Sequence, residues 1–159
     1  MSSEALAAEA QILRSRGTVT SLYGVLLNSP SIAAGWEALM TAIRQQSSLA
    51  PRLRELVILR VAVLNGADYE FDAHLPHAKE AGVEDDEIDW IRTGSRQHFS
   101  KVERVVLDYT DTMTRSVTVA DQLFGRVQPL FGPRELIDLT ATIAAYNMVS
   151  RFLCALEIV

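Results

Sequence analysis

The sequence predicts an all-α protein of about eight or nine helices. Three observations predict it. Apolar residues recur at spacings of three and four along much of the chain. Helix start and stop signals bracket these segments. Only Val117-Thr118-Val119 resembles a strand, and three residues are too few for one.

In order, the Ala-rich stretch Ser3 to Ser15 forms a first helix that ends at Gly17, and Thr20 to Leu27 forms a short second one. Asn28-Ser29-Pro30 starts the third, because Pro is free of penalty in a first turn that needs no N–H there. Ile32, Trp36, Leu39, Met40 and Ile43 give that helix one apolar face. Leu49-Ala50-Pro51 opens a helix to about Leu64 that is apolar nearly all round, so it belongs at the centre of the domain. Asn65-Gly66 is a turn. Asp68 caps a helix to about Ala81, kinked at Pro76 and closed by Gly82.

Glu84-Asp85-Asp86-Glu87 supplies the negative first turn of the next helix. Ser100 caps one carrying Val102, Val105, Val106, Tyr109 and Met113. Thr118 with Asp121 has the spacing of a capping box for a short helix to Leu130, and the last helix follows Gly132-Pro133. No linker or low-complexity run interrupts residues 1–159, so a single domain is expected. A weak internal echo pairs Arg54-Glu55-Leu56 and Leu59 with Arg134-Glu135-Leu136 and Leu139; both duplication and chance account for it.

Composition narrows the functional classes. The chain is 48% hydrophobic and 22% charged, with a net charge of -5. That balance gives no electrostatic reason to bind nucleic acid or an anionic membrane, which require clustered Lys and Arg. Small molecules or other subunits are the expected partners. The one cysteine, Cys154, excludes an intrachain disulfide or a cysteine zinc cluster, and fits a reducing, cytoplasmic setting. Its apolar neighbours suggest a small core residue. Met1-Ser2-Ser3-Glu4 does not read as a secretory signal, and the run Leu56 to Leu64 is too short to span a bilayer.

Three constellations carry candidate chemistry. Glu70, His74 and His77 fall at i, i+4 and i+7 on one helical face. Carboxylate and imidazole on one face suit acid/base work or metal binding, and equally suit a plain polar face. The pattern lacks the paired Glu-x-x-His of helical dimetal sites, so no metal is expected. Glu55 opens a very apolar run. It is either a helix-dipole carboxylate or a buried acid that needs Arg60, Tyr69 or His74 as partner. In the final helix, Asn147 and Arg151 share a face beside Tyr146. They suit either a ligand carboxylate or an interhelix or subunit ion pair.

The order and spacing of Arg54-Glu55-Leu56, Tyr69-Glu70-Phe71 and His74, then Ala81-Gly82-Val83 and an acidic stretch, resemble the carboxymuconolactone decarboxylase family, which includes the AhpD-like alkylhydroperoxidases. Tyr146-Asn147-Met148-Val149 and Arg151-Phe152 extend the resemblance from about Leu27 to Leu156. It implies an all-α fold assembling as trimers or hexamers, with sites near subunit contacts and no cofactor. Redox members of the family use a Cys-x-x-Cys pair with a Glu, a His between the cysteines and a second His. Carried onto this chain, the Glu is Glu55 and the distal His is His74. The cysteine positions hold Ala67 and Glu70, and Tyr69 replaces the inner His.

Dithiol reduction of a peroxide needs an attacking thiolate and a resolving thiol, so thiol peroxidase chemistry is not expected here. The resemblance instead implies a cofactor-independent acid/base lyase or isomerase acting on a small organic acid or lactone. His74, Glu55, Tyr69 and Glu70 are its candidate catalytic residues, with Asn147 and Arg151 as candidate substrate contacts. The alternative is a non-catalytic oligomeric protein that binds a small molecule on the same fold.

Overall fold

The computed structural model describes residues 2–159; Met1, in the N-terminal stretch read above, lies outside them. The described residues form nine α-helices and one 3-10 turn, with no strand. They divide into two units, residues 2–47 with 158–159, and residues 48–157. No helix among them is long and apolar enough to cross a membrane.

The first unit contains α1 (Ser3–Arg16), α2 (Ser21–Leu26) and α3 (Pro30–Gln45). Ser2 caps α1 by accepting the Ala5 N–H, and Pro30 opens α3 as expected. The buried face of α3 is Ala33, Trp36, Glu37, Met40 and Ile43. Ile32 and Leu39, expected on that face, are exposed. Glu37 displaced them: its carboxylate takes hydrogen bonds from Ser15, Arg16 and Thr41, which makes its burial tolerable. An apolar pattern alone does not reveal such a buried acid.

The second unit contains α4 (Pro51–Asn65), α5 (Asp68–Glu80), α6 (Asp85–Thr93), α7 (Lys101–Ser116), α8 (Asp121–Val127), a 3-10 turn (Gln128–Leu130) and α9 (Pro133–Ala155). Helix α4 is the central element that the sequence predicted. Every residue from Glu55 to Ala62 is buried, and α5, α6, α7 and α9 all pack on it. Leu56, Leu59, Ala62, Phe71, Ile91, Phe99 and Leu107 belong to one apolar cluster around it. Arg52 bridges to Glu87 of α6 (2.6 Å) and Glu103 of α7 (2.7 Å), fixing the start of α4.

Several boundaries differ from the sequence reading. Asp68 is the first residue of α5, and its cap position is Ala67. Thr118 does not cap α8; Ala120 holds that position without a side-chain bond. Thr118 instead closes a three-residue turn, its N–H on Ser116 O at 2.7 Å, with Val117 at φ 64 between them. The two echoing segments also part in role. Glu135 accepts the Gly132 N–H at the start of its own helix, whereas Glu55 faces inward. Cys154, read as a core residue, is exposed, because the inward face of α9 is taken by Tyr146, Val149, Ser150 and Leu153.

Candidate functional site

The site begins with the turn between α4 and α5. Gly66 adopts φ 64, a left-handed conformation that glycine reaches without a Cβ penalty. Its N–H caps the last turn of α4, and the Ala67 N–H reaches back to Ala62 O at 2.9 Å. The chain therefore reverses tightly, and α5 returns along α4. Helix α5 packs on α4, and this brings the long side chains of Glu55 and His74 within reach of each other.

There they meet. His74 Nδ1 stands 2.7 Å from Glu55 Oε2, and its Nε2 stands 3.0 Å from Glu70 Oε1. Glu70 precedes His74 by one helical turn, as the i, i+4 spacing predicted. The phenol of Tyr146, on α9, lies 3.2 Å from the same Nε2. Arg54 Nε is 3.2 Å from the other oxygen of Glu55. The cluster is well buried: Glu55 and Tyr146 are 1% exposed, His74 4% and Glu70 6%.

Burial alone would discharge these groups, but the pairing opposes it. For Glu55, burial pushes the pKa up, while the hydrogen bond and charge of His74, with Arg54, outweigh it and hold the carboxyl below its ordinary range. For His74, burial pulls the imidazole down, and the bonds and charges of Glu55 and Glu70 more than reverse that, raising it above 6.5. Both effects favour an imidazolium between carboxylates. In that form Nδ1–H donates to Glu55 and Nε2–H to Glu70. When Nε2 loses its proton, the Tyr146 hydroxyl is placed to donate to it.

Of the predicted catalytic residues, the structure brings Glu55, Glu70 and His74 together. Among the described residues, Tyr69 is not a hydrogen-bonding partner of His74 and is only half-buried; the phenol on the ring is that of Tyr146. The signal for Tyr146 was its place in the apolar last helix, since a buried Tyr hydroxyl needs a partner. Arg60, also considered for Glu55, instead makes a two-point pair with Asp111, both contacts at 2.7 Å.

Asn147 ties three helices. It takes a bond from Asn65 (3.1 Å) and donates to Thr114 (2.9 Å) and Ile143 O (3.0 Å). Arg151, the other candidate substrate contact, is exposed and donates to Asn147 Oδ1 at 2.6 Å. Neither bonds to the His74 cluster. His77 is exposed, its ring 5.6 Å from that of His74. No group of three or more His, Cys, Asp and Glu among the described residues is arranged for a metal ion.

The described residues have a helical, AhpD-like architecture with a buried histidine-carboxylate cluster on its α4–α5 hairpin. The sequence profile of the carboxymuconolactone decarboxylase family matches residues 30–111, and the chain belongs to that family. The uncharacterized protein YdfG of Bacillus subtilis (strain 168) is 28% identical over 120 residues, covering 74% of this chain and 82% of YdfG. The uncharacterized protein YnjA of Escherichia coli (strain K12) is 31% identical over 120 residues, covering 72% of this chain and 64% of YnjA. The structure of an alkylhydroperoxidase AhpD core, an uncharacterized peroxidase-related protein from Ralstonia eutropha JMP134, superposes with a TM-score of 0.80. It is 15% identical and covers 98% of this chain and 84% of its own, a likeness of fold.

Proposed function

We propose that this protein is a cofactor-independent acid/base enzyme, a lyase or isomerase, acting on a small organic acid or lactone. The observation that carries the reading is the buried His74 ring, bonded at Nδ1 to Glu55 and at Nε2 to Glu70. Such a ring, its pKa raised by the two carboxyl groups bonded to it, is suited to donate a proton. In a decarboxylation the carbon–carbon bond to the carboxylate breaks and CO2 leaves. The electron pair spreads into the neighbouring unsaturated lactone, and one proton then closes the carbon. The proton shared by His74 Nε2 and Glu70 is the one delivered, and water restores it. Glu55 positions and charges the ring, and Tyr146 bonds Nε2 once the proton has gone.

Thiol peroxidase chemistry lies outside this proposal. Ala67 and Glu70 stand at the positions where the resemblance places the cysteine pair, and Cys154 is the sole cysteine. The test is NMR in D2O with a panel of small lactone carboxylates. Turnover or deuterium uptake is expected with wild-type protein, with loss of about 100-fold or more in His74→Ala and in Glu70→Gln. A His74→Ala protein that keeps full activity on a substrate so found overturns the assignment.

A second reading has its own support in the same cluster, whose four members are almost fully buried. On that reading Glu55, Glu70, His74 and Tyr146 form a structural network in a non-catalytic oligomer that binds a small molecule. It predicts no turnover across the panel, with His74→Ala lowering the melting temperature.

A further inference from the structure

A concave site lies in the unit of residues 48–157, away from the buried His74 cluster. It is a cavity of about 480 Å³, lined by Arg96, Lys101, Arg104 and Arg126, with Val105, Asp108, Pro129 and Leu130 completing its wall. Its size lies within the range of small-molecule sites. Four cations surround a single carboxylate there, in a chain whose net charge is -5.

Two of these cations work against local helix stability. Lys101 and Arg104 begin α7, where the helix dipole is positive and favours acids. No ion pair is formed by either among the described residues. Asp108 is already shared: Arg126 Nη2 is 3.3 Å from its Oδ2, and Arg96 Nε is 3.7 Å from its Oδ1. The latter distance is too long for a hydrogen bond, and the buried Arg96 Nε–H has no acceptor. Arg96 is otherwise held by Asp111 at 3.0 Å and by the Gly94 carbonyl at 3.2 Å, so its guanidinium is anchored while one donor stays unmet.

We propose that this cavity binds a small organic dianion, a phosphate monoester with an apolar body. Arg96, Lys101, Arg104 and Arg126 together exceed Asp108 by three formal charges, which a doubly charged oxyanion balances better than a monocarboxylate. Val105, Pro129 and Leu130 supply contact for an apolar group beside it. The site is independent of the His74 chemistry, since none of its lining residues belongs to that cluster.

The test is calorimetric titration of the full chain with phenyl phosphate, inorganic phosphate and benzoate at physiological salt. Phenyl phosphate is expected to bind one to one, more tightly than either of the others. The double variant K101E/R104E changes two exposed side chains, and its fold is checked by circular dichroism. It is expected to weaken phenyl phosphate by about tenfold or more. Asp108→Asn removes the competing carboxylate and is expected to tighten binding. Absence of binding at millimolar phenyl phosphate overturns the proposal. So does an unchanged affinity in K101E/R104E, or benzoate binding as tightly as phenyl phosphate.

Discussion

Replacing Glu55 with Gln isolates the charge on which the His74 cluster depends. The amide keeps the shape of the carboxylate and can still meet the Nδ1–H, but the negative charge 2.7 Å from the ring is gone. Both partners are buried, so solvent screens the pair weakly. A hydrogen bond to a charged group contributes about 1.5–3 kcal/mol, and we expect the variant to lose that much where both groups are ionised. The ring can escape a larger penalty by releasing its proton, which caps the loss below the roughly 3–5 kcal/mol typical of a broken buried pair.

The pH dependence follows from the direction of each shift. The His74 pKa is raised, so its stabilisation is fully present below the unfolded value of about 6.5 and fades as pH rises through the folded value. The Glu55 pKa is lowered, so its stabilisation is present above about 4.3 and fades as pH falls through the folded value. The gap between wild type and Glu55→Gln is therefore widest between about pH 4.5 and 6.5 and narrows in alkali. Urea unfolding of both proteins at pH 5.5, 7 and 9.5 measures it. A gap that is equal at all three values, or widest at 9.5, refutes an ionised Glu55–His74 pair.

Two further predictions concern the frame. Asp111→Ala strands the buried Arg60 guanidinium, whose remaining bond is to Ile91 O at 2.8 Å; we expect a loss of about 3 kcal/mol in urea unfolding, largely rescued by Asp111→Glu. Val117→Gly relieves a β-branched residue at φ 64 that is 80% exposed and packs little; we expect a gain of about 1 kcal/mol, read as a higher melting temperature.

The legible parts of the fold were those written in local chemistry. Pro30, Pro51 and Ser100 mark helix starts because first-turn geometry depends on adjacent residues. The apolar run from Leu56 predicted a central α4 because burial on all sides needs apolar residues on all sides. Glu70 and His74 were legible as a pair, since their spacing is a property of one helix. The partner of Glu55 was one of three possibilities, and only the α4–α5 turn selects His74 over Arg60. Tyr146 against Tyr69 was not legible, because the choice depends on where α9 packs, seventy-two residues from His74. The buried Glu37 was missed for the same reason, its Ser15 and Arg16 partners lying on another helix. The α7 cations were visible as letters, but only tertiary structure assembles them with Arg126 around one cavity.

The tight reversal at Gly66 has a consequence for how this centre tolerates change. Both ends of the Glu55–His74 bond sit on one hairpin, so their alignment is a matter of counting residues. One residue gained or lost between them turns one partner by about 100° around its helix and breaks the register. Positions 67 and 70 lie just past the turn and can change identity while that count stays fixed. The hairpin thus behaves as a ruler whose length sets which side chains of the two helices meet. A substitution leaves that alignment in place, whereas a residue gained or lost within either helix does not.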